Sequence, residues 1–148
     1  MSGTQTASGG DRIQAQCLCG SVRFSAVVAE PETDACHCRM CQRWAAGPFF
    51  TVSCGDSVVF ESDDDLEVYR SSDWAERGFC RKCGSSLFWK LQGKSDYQVS
   101  MLSIDGEKNF PFKVEIFIDE KPDNYAFAND TKKMTGAEAM AFFTAGQE

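Results

Sequence analysis

A chain of 148 residues, 43% hydrophobic and with 12 phenylalanines, is about one domain's worth of sequence with enough apolar material for a core. Its formal net charge of −7 excludes the basic face that a nucleic-acid partner needs. No run of about 18 apolar residues offers a membrane span.

The first residues, MSGTQTASGGDR, are small and polar without an apolar stretch. They predict a disordered tail over residues 1–12 rather than a secretory signal, and a cytoplasmic protein. Residues 13–148 are expected to form a single zinc-binding β domain. Without export, the 8 cysteines read as metal ligands before disulfides. Spacings such as Cys-x-Cys also bring sulfurs too close in sequence for good disulfide geometry.

In chain order, Cys17-Leu18-Cys19-Gly20 predicts a turn into a strand. Val22, Phe24, Ala26 and Val28 alternate there with Ser21, Arg23 and Ser25, the period of a half-buried strand. Pro31 to Asp34 reads as a polar connection, and Cys36-His37-Cys38-Arg39-Met40-Cys41 as a three-thiol loop. Arg43 to Pro48 predicts a turn or short helical piece. Phe49–Ser53 and Ser57–Phe60 read as strands around a hairpin turn at Cys54-Gly55-Asp56. Leu66–Arg70 is a further strand, followed by a loop over Ser71 to Gly78 and the turn Cys80-Arg81-Lys82-Cys83-Gly84. Ser86–Gln92 and Tyr97–Ile104 form two strands about Gly93-Lys94-Ser95. Val114, Ile116 and Ile118 alternate with Glu115, Phe117 and Asp119 in another. Thr135-Gly136-Ala137-Glu138 has capping-box spacing and predicts a C-terminal helix. Up to nine strands and one helix imply an antiparallel all-β domain stapled by metal.

The cysteines divide by number. Cys17, Cys19, Cys80 and Cys83 lie on two turns, each closed by a glycine that can take a left-handed conformation cheaply. Four sulfurs make a closed tetrahedral zinc site, and metal binding then becomes folding energy. The alternative is two reduced, buried cysteine pairs. Cys36, Cys38 and Cys41 supply three sulfurs, which leaves a coordination corner open for catalysis. The fourth ligand of that second zinc could be His37, Cys54, water or a substrate thiol. His37, flanked by ligands, is expected to point away from their metal, and Cys54 to be a free thiol. If metal were absent, Arg39 and Arg43 would lower a thiol pKa, so a redox role for the trio stays open.

Three stretches in this order, Cys-x-Cys-Gly-x-Val-x-Phe (Cys17 to Phe24), Cys-His-Cys-x-x-Cys-x-x-x-x-x-Gly (Cys36 to Gly47) and Phe-Cys-x-x-Cys-Gly-x-x-Leu (Phe79 to Leu87), resemble the glutathione-dependent formaldehyde-activating enzyme family. That family is related to centromere protein V. The resemblance covers roughly residues 13 to 128. It implies a β-tent fold with two Zn²⁺ per chain: a structural zinc on Cys17, Cys19, Cys80 and Cys83, and a catalytic zinc on Cys36, Cys38 and Cys41. It further implies carbon–sulfur lyase chemistry, the joining of glutathione and formaldehyde into S-(hydroxymethyl)glutathione. In that reaction the metal lowers the thiol pKa or acts as Lewis acid, and the protein orients the reactants. Arg39, Arg43, Arg70 and Arg77 are candidate anchors for the two glutathione carboxylates. Glu115 stands where many relatives have a histidine. The competing function is a non-enzymatic, zinc-stapled β module that binds a protein or small molecule.

Overall fold

The computed structural model describes residues 10–145. Most of the expected N-terminal tail, residues 1–9, lies outside them. Gly10 donates its N–H to Val28 O at 2.8 Å, and Arg12 opens the first strand. The chain divides into two compact units. One holds the chain up to Glu32 together with Thr51–Pro111, and the other Thr33–Phe50 together with the chain from Phe112.

In the first unit, β1 (Arg12–Gln16) and β2 (Arg23–Val27) pair antiparallel, and β5 (Val59–Ser62) joins the far side of β2. The alternation read in the sequence is the cause: Val22, Phe24, Ala26 and Val28 are all buried. Beside this sheet run β4 (Phe49–Gly55), β9 (Tyr97–Ser100), β8 (Ser86–Leu91), β7 (Ala75–Cys80) and β6 (Leu66–Arg70), in that order and antiparallel. The core of the unit is Phe24, Leu87, Phe88, Val52, Val99 and Ile104, with Phe60 and Tyr97 packed against it. Gly78 faces Phe88 across the β7–β8 pair. The ring lies where a side chain on residue 78 would be, since a Cβ there would sit 2.2 Å from Phe88 Cζ.

Two sequence expectations change here. β4 and β5 do not form a hairpin with each other, because β4 pairs with β9 and β5 with β2. The turn exists nonetheless: Ser57 N–H and Oγ both donate to Cys54 O, at 3.3 and 2.6 Å. The second half of the loop expected over Ser71 to Gly78, from Ala75 on, is strand β7. Its buried Arg77 and Gly78 gave it no apolar alternation to read.

In the second unit, β3 (Thr33–Cys36) and β11 (Lys132–Met134) flank β10 (Phe112–Ile116), and both pairs are parallel. The expectation of an entirely antiparallel arrangement does not hold for these three strands. Long connections between them let the chain return in the same direction. Residues expected to be a polar connection therefore enter β3. Helix α1 (Arg39–Ala45) follows, ending at Ala46 in the left-handed region. Helix α2 (Gly136–Ala145) has the capping box read from the sequence. Thr135 N–H donates to Glu138 Oε1 at 2.8 Å, and Glu138 N–H to Thr135 Oγ1 at 3.2 Å. The protein is mostly β with a short C-terminal helix. Among the described residues no helix is long and apolar enough to cross a membrane.

Candidate metal centres

Two cysteine groups converge, and they are the two read from the sequence. Cys17, Cys19, Cys80 and Cys83 bring their sulfurs within 4.8 Å of one another in the first unit, and Cys36, Cys38 and Cys41 do so in the second. All of these cysteines are free thiols.

The quartet is assembled from two turns of the same make. Gly20 (φ 82°) and Gly84 (φ 80°) take left-handed conformations, and their N–H groups donate back to Cys17 O and Cys80 O at 3.2 and 2.7 Å. Each turn thereby folds under its sulfurs. Cys17 Sγ lies 3.6 Å from Cys19 Sγ, and Cys19 Sγ 3.8 Å from Cys80 Sγ. A zinc ion 2.3 Å from each of four thiolates sets the sulfurs roughly 3.8 Å apart, so the donors fit such an ion. The surroundings favour thiolate at Cys17 and Cys83, while the Cys19 thiol is held above its ordinary range. Val22 N–H donates to Cys17 Sγ and Cys83 N–H to Cys80 Sγ, at 3.3 and 3.5 Å. Ser21 Oγ lies 3.1 Å from Cys19 Sγ and 3.4 Å from Cys80 Sγ, and Ser85 Oγ 3.2 Å from Cys83 Sγ. The Ser85 hydroxyl, against a small burial cost, is the main reason the Cys83 thiol is lowered to about 5.

The trio sits where β3 runs into α1. Cys36 ends β3, and Cys38 is the N-cap of α1, its sulfur accepting the Cys41 N–H at 3.3 Å. All three are buried. Hydrogen bonding among the three, led by Cys38 and then Cys41, together with burial and their like charges, pushes the Cys36 thiol far up. Three crowded thiols are thus poor acids by themselves, and a cation among them is what would let all three ionise. Soft sulfur donors without oxygen ligands suit zinc.

His37 does not gather with the trio; its Nε2 lies 2.8 Å from Glu115 Oε1. Glu115 is 1% exposed. Its other oxygen accepts from Thr131 Oγ1 at 2.5 Å, and Lys133 Nζ lies 3.7 Å from it. Burial works to raise the Glu115 pKa. The Thr131 and His37 hydrogen bonds and the charges of His37 and Lys133 outweigh it and hold the carboxyl below its usual range. Cys54 belongs to neither group; it is buried in the first unit's core, and burial pushes its thiol up to about 12. Of the candidate arginine anchors, Arg39 and Arg43 are exposed on α1 beside the trio. Arg70 and Arg77 lie in the other unit, on β6 and buried in β7.

The His37–Glu115 pair escaped sequence reasoning. Glu115 alternates with Val114 and Ile116 in the sequence, yet it is buried together with Ile116. The signal was present: it is an isolated acid in an apolar strand, and His37 is the chain's 1 histidine.

These features define a β protein with one four-sulfur and one three-sulfur centre, each able to hold a metal ion. The chain belongs to the glutathione-dependent formaldehyde-activating enzyme family, whose sequence profile matches residues 12–120. It is 35% identical over 128 residues to an uncharacterized lyase of Schizosaccharomyces pombe, covering 86% of this chain and 93% of that protein. A Halomonas elongata protein carrying the family's name is 26% identical over 123 residues, or 75% of this chain and 78% of that one. The crystal structure of a Rhodobacter sphaeroides protein superposes with a TM-score of 0.56 at 18% identity. The match covers 68% of this chain and 99% of that one, and the likeness extends to the fold alone.

Proposed function

We propose that the protein is a zinc-dependent enzyme that makes or breaks a carbon–sulfur bond in a small thiol–aldehyde adduct, of the S-(hydroxymethyl)glutathione type. Two Zn²⁺ ions per chain are part of this reading: a structural ion on Cys17, Cys19, Cys80 and Cys83, and a catalytic ion on Cys36, Cys38 and Cys41. The observation that carries it is the donor count. Four sulfurs saturate a tetrahedral ion, whereas the trio gathers no fourth Cys, His or carboxylate among the described residues. Family membership and the lyase-named relative support the reaction class.

A zinc ion held by three thiolates supplies Lewis acidity and lowers the pKa of a thiol brought to it. The rest is for the chain's own residues. Burial of the trio excludes water from the reacting atoms. Exposed Arg39 and Arg43 on α1 offer guanidinium groups to the carboxylates of a glutathione-like thiol. In the addition, sulfur bonds to the aldehyde carbon, the carbonyl π bond opens, and the thiol proton ends on the new hydroxyl. Cleavage is the reverse.

The test is exchange NMR of ¹³C-formaldehyde with glutathione, with and without protein, alongside elemental analysis. The reading expects about two zinc ions per chain and exchange that quickens in proportion to protein. Metal-replete protein that leaves the uncatalysed exchange rate unchanged would refute it.

A further inference from the structure

Strand β6 ends its sheet: β7 pairs along one side of it, and among the described residues no strand lies on the other. Its register with β7 runs unbroken from the Leu66–Cys80 pair to the Arg70–Glu76 pair. Two backbone bonds fix which way its amides point. Arg81 N–H donates to Asp65 O at 2.9 Å, and Ser71 N–H to Ala75 O at 3.2 Å. Asp65 and Ser71 thus turn toward β7, and by alternation so do Glu67 and Tyr69. The N–H and C=O groups of Val68 and Arg70, and the C=O of Leu66, turn outward; the Leu66 N–H goes to Asp63 O at 3.0 Å. The side chains along this edge are uncovered as well. Glu67, Val68, Tyr69 and Arg70 are all exposed, Tyr69 by 62% and Val68 by 44%. The other sheet edges of the described chain are covered or blunted. Beside β1, Asp105 N–H donates to Gln14 O at 2.8 Å and Ala15 bridges Ile104. β5 meets β2 through a shifted register, and two of the three residues of β11 are lysine, which discourages edge pairing.

A bare row of donors and acceptors is a template for another strand. We propose that β6 is a self-association edge, pairing antiparallel with β6 of a second copy of this chain about a two-fold axis at Val68. Charge selects this occupant. The turn before β6 carries exposed Asp63 and Asp64, and the strand's far end carries exposed Arg70. None of these three is in an ion pair among the described residues, whereas Asp65 and Glu67 have Arg81 at 3.3 and 4.0 Å. Parallel pairing would set acid on acid and Arg70 on Arg70. The antiparallel form sets Arg70 of each copy against the acidic turn of the other, and Val68 directly across from Val68. The outward amides match that register: the two Val68 residues exchange both backbone bonds, and each Arg70 N–H donates to Leu66 O of the other copy. Because β6 has one open side, the contact is isologous and closes at two copies. Five residues a side make a small interface, of the weak, transient class below about 1,200 Å².

Full-length, zinc-loaded protein would be followed by sedimentation velocity from about 1 µM to about 1 mM. Each copy carries −7, so the buffer holds about 0.15 M salt, which screens charges beyond about 8 Å. The expected result is a rise with concentration from 16.4 kDa to twice that mass. Amide hydrogen exchange by NMR then locates the contact. The Val68 and Arg70 amides should slow as the dimer fills, while those of Glu67 and Tyr69, which already face β7, change little. Val68→Lys places two like charges across the axis and should weaken association about tenfold or more. Leu102→Lys removes another exposed apolar side chain, away from β6, and should leave association unchanged. A single 16.4 kDa species at every concentration overturns the proposal. So does a mass that climbs past two copies, or a dimer whose Val68 and Arg70 amides exchange as fast as in the monomer. These results come from the wild-type chain and do not depend on a variant folding. Association that survives Val68→Lys, or that both variants weaken equally, overturns it too.

Discussion

Replacing Cys80 with serine removes one donor from the quartet and, on the proposed reading, its hold on the ion. Cys80 is 0% exposed and ends β7, and its sulfur lies 3.8 Å from that of Cys19. These two cysteines are 61 residues apart in the chain. Treated as a cross-link, the ion closes a loop of that length, which the chain-entropy relation makes worth about 4 kcal/mol. Serine also offers hard oxygen where soft thiolate is preferred, so zinc affinity itself falls. Against a total stability of roughly 5–15 kcal/mol this is a large fraction. Cys80→Ser is expected to lower the Tm by about 10 °C or more, or to leave no folded protein at all. Thermal unfolding followed by circular dichroism, with elemental analysis of whatever remains folded, gives the answer. A variant melting within about 3 °C of wild type with its full zinc complement would refute the idea that this centre staples the fold.

Cys38→Ser should act in the opposite way. Serine is a good N-cap, so α1 keeps its first turn and the Tm changes by less than that of Cys80→Ser, while exchange falls to the uncatalysed rate. Cys54 should be inert. With its thiol pushed up to about 12, the reactive thiolate is scarce until pH approaches that value, so a disulfide reagent at neutral pH labels it only after unfolding. Labelling of native Cys54 within seconds would contradict its placement in the core. Gly78→Ala forces a Cβ to 2.2, 2.3 and 2.8 Å from three atoms of the buried Phe88 ring. It should destabilise the protein by about 1–3 kcal/mol or more in urea unfolding. Adding Phe88→Leu should recover part of that loss, and a purely additive double mutant would argue against the contact.

What was legible in the sequence depended on where its apolar residues recur. Val22, Phe24, Ala26 and Val28 mark β2 at every second position, although Ser25 is buried between them, and β6 matches its expected bounds of Leu66 and Arg70. The two cysteine groups were legible from their close spacing, and in the quartet Gly20 and Gly84 take the positive φ that its turns require. β3 and β7 were not, since neither carries apolar residues at every second position: β3 reads Thr-Asp-Ala-Cys, and β7 has Arg77 and Gly78 in its middle. β11 is three residues, two of them lysine, and its pairing is set by the parallel strand beside it. His37 and Glu115 are 78 residues apart, and no local pattern joins them.

Cys38 Sγ accepts the Cys41 N–H that closes the first turn of α1. An electron pair lent to a cation leaves less density for that amide, and a departing cation returns it. On the proposed reading, loading of the trio and fraying of the helix that carries Arg39 and Arg43 are therefore linked equilibria. Amide exchange at Cys41 becomes a gauge of whether the second centre is filled, readable in the intact protein without touching its chemistry.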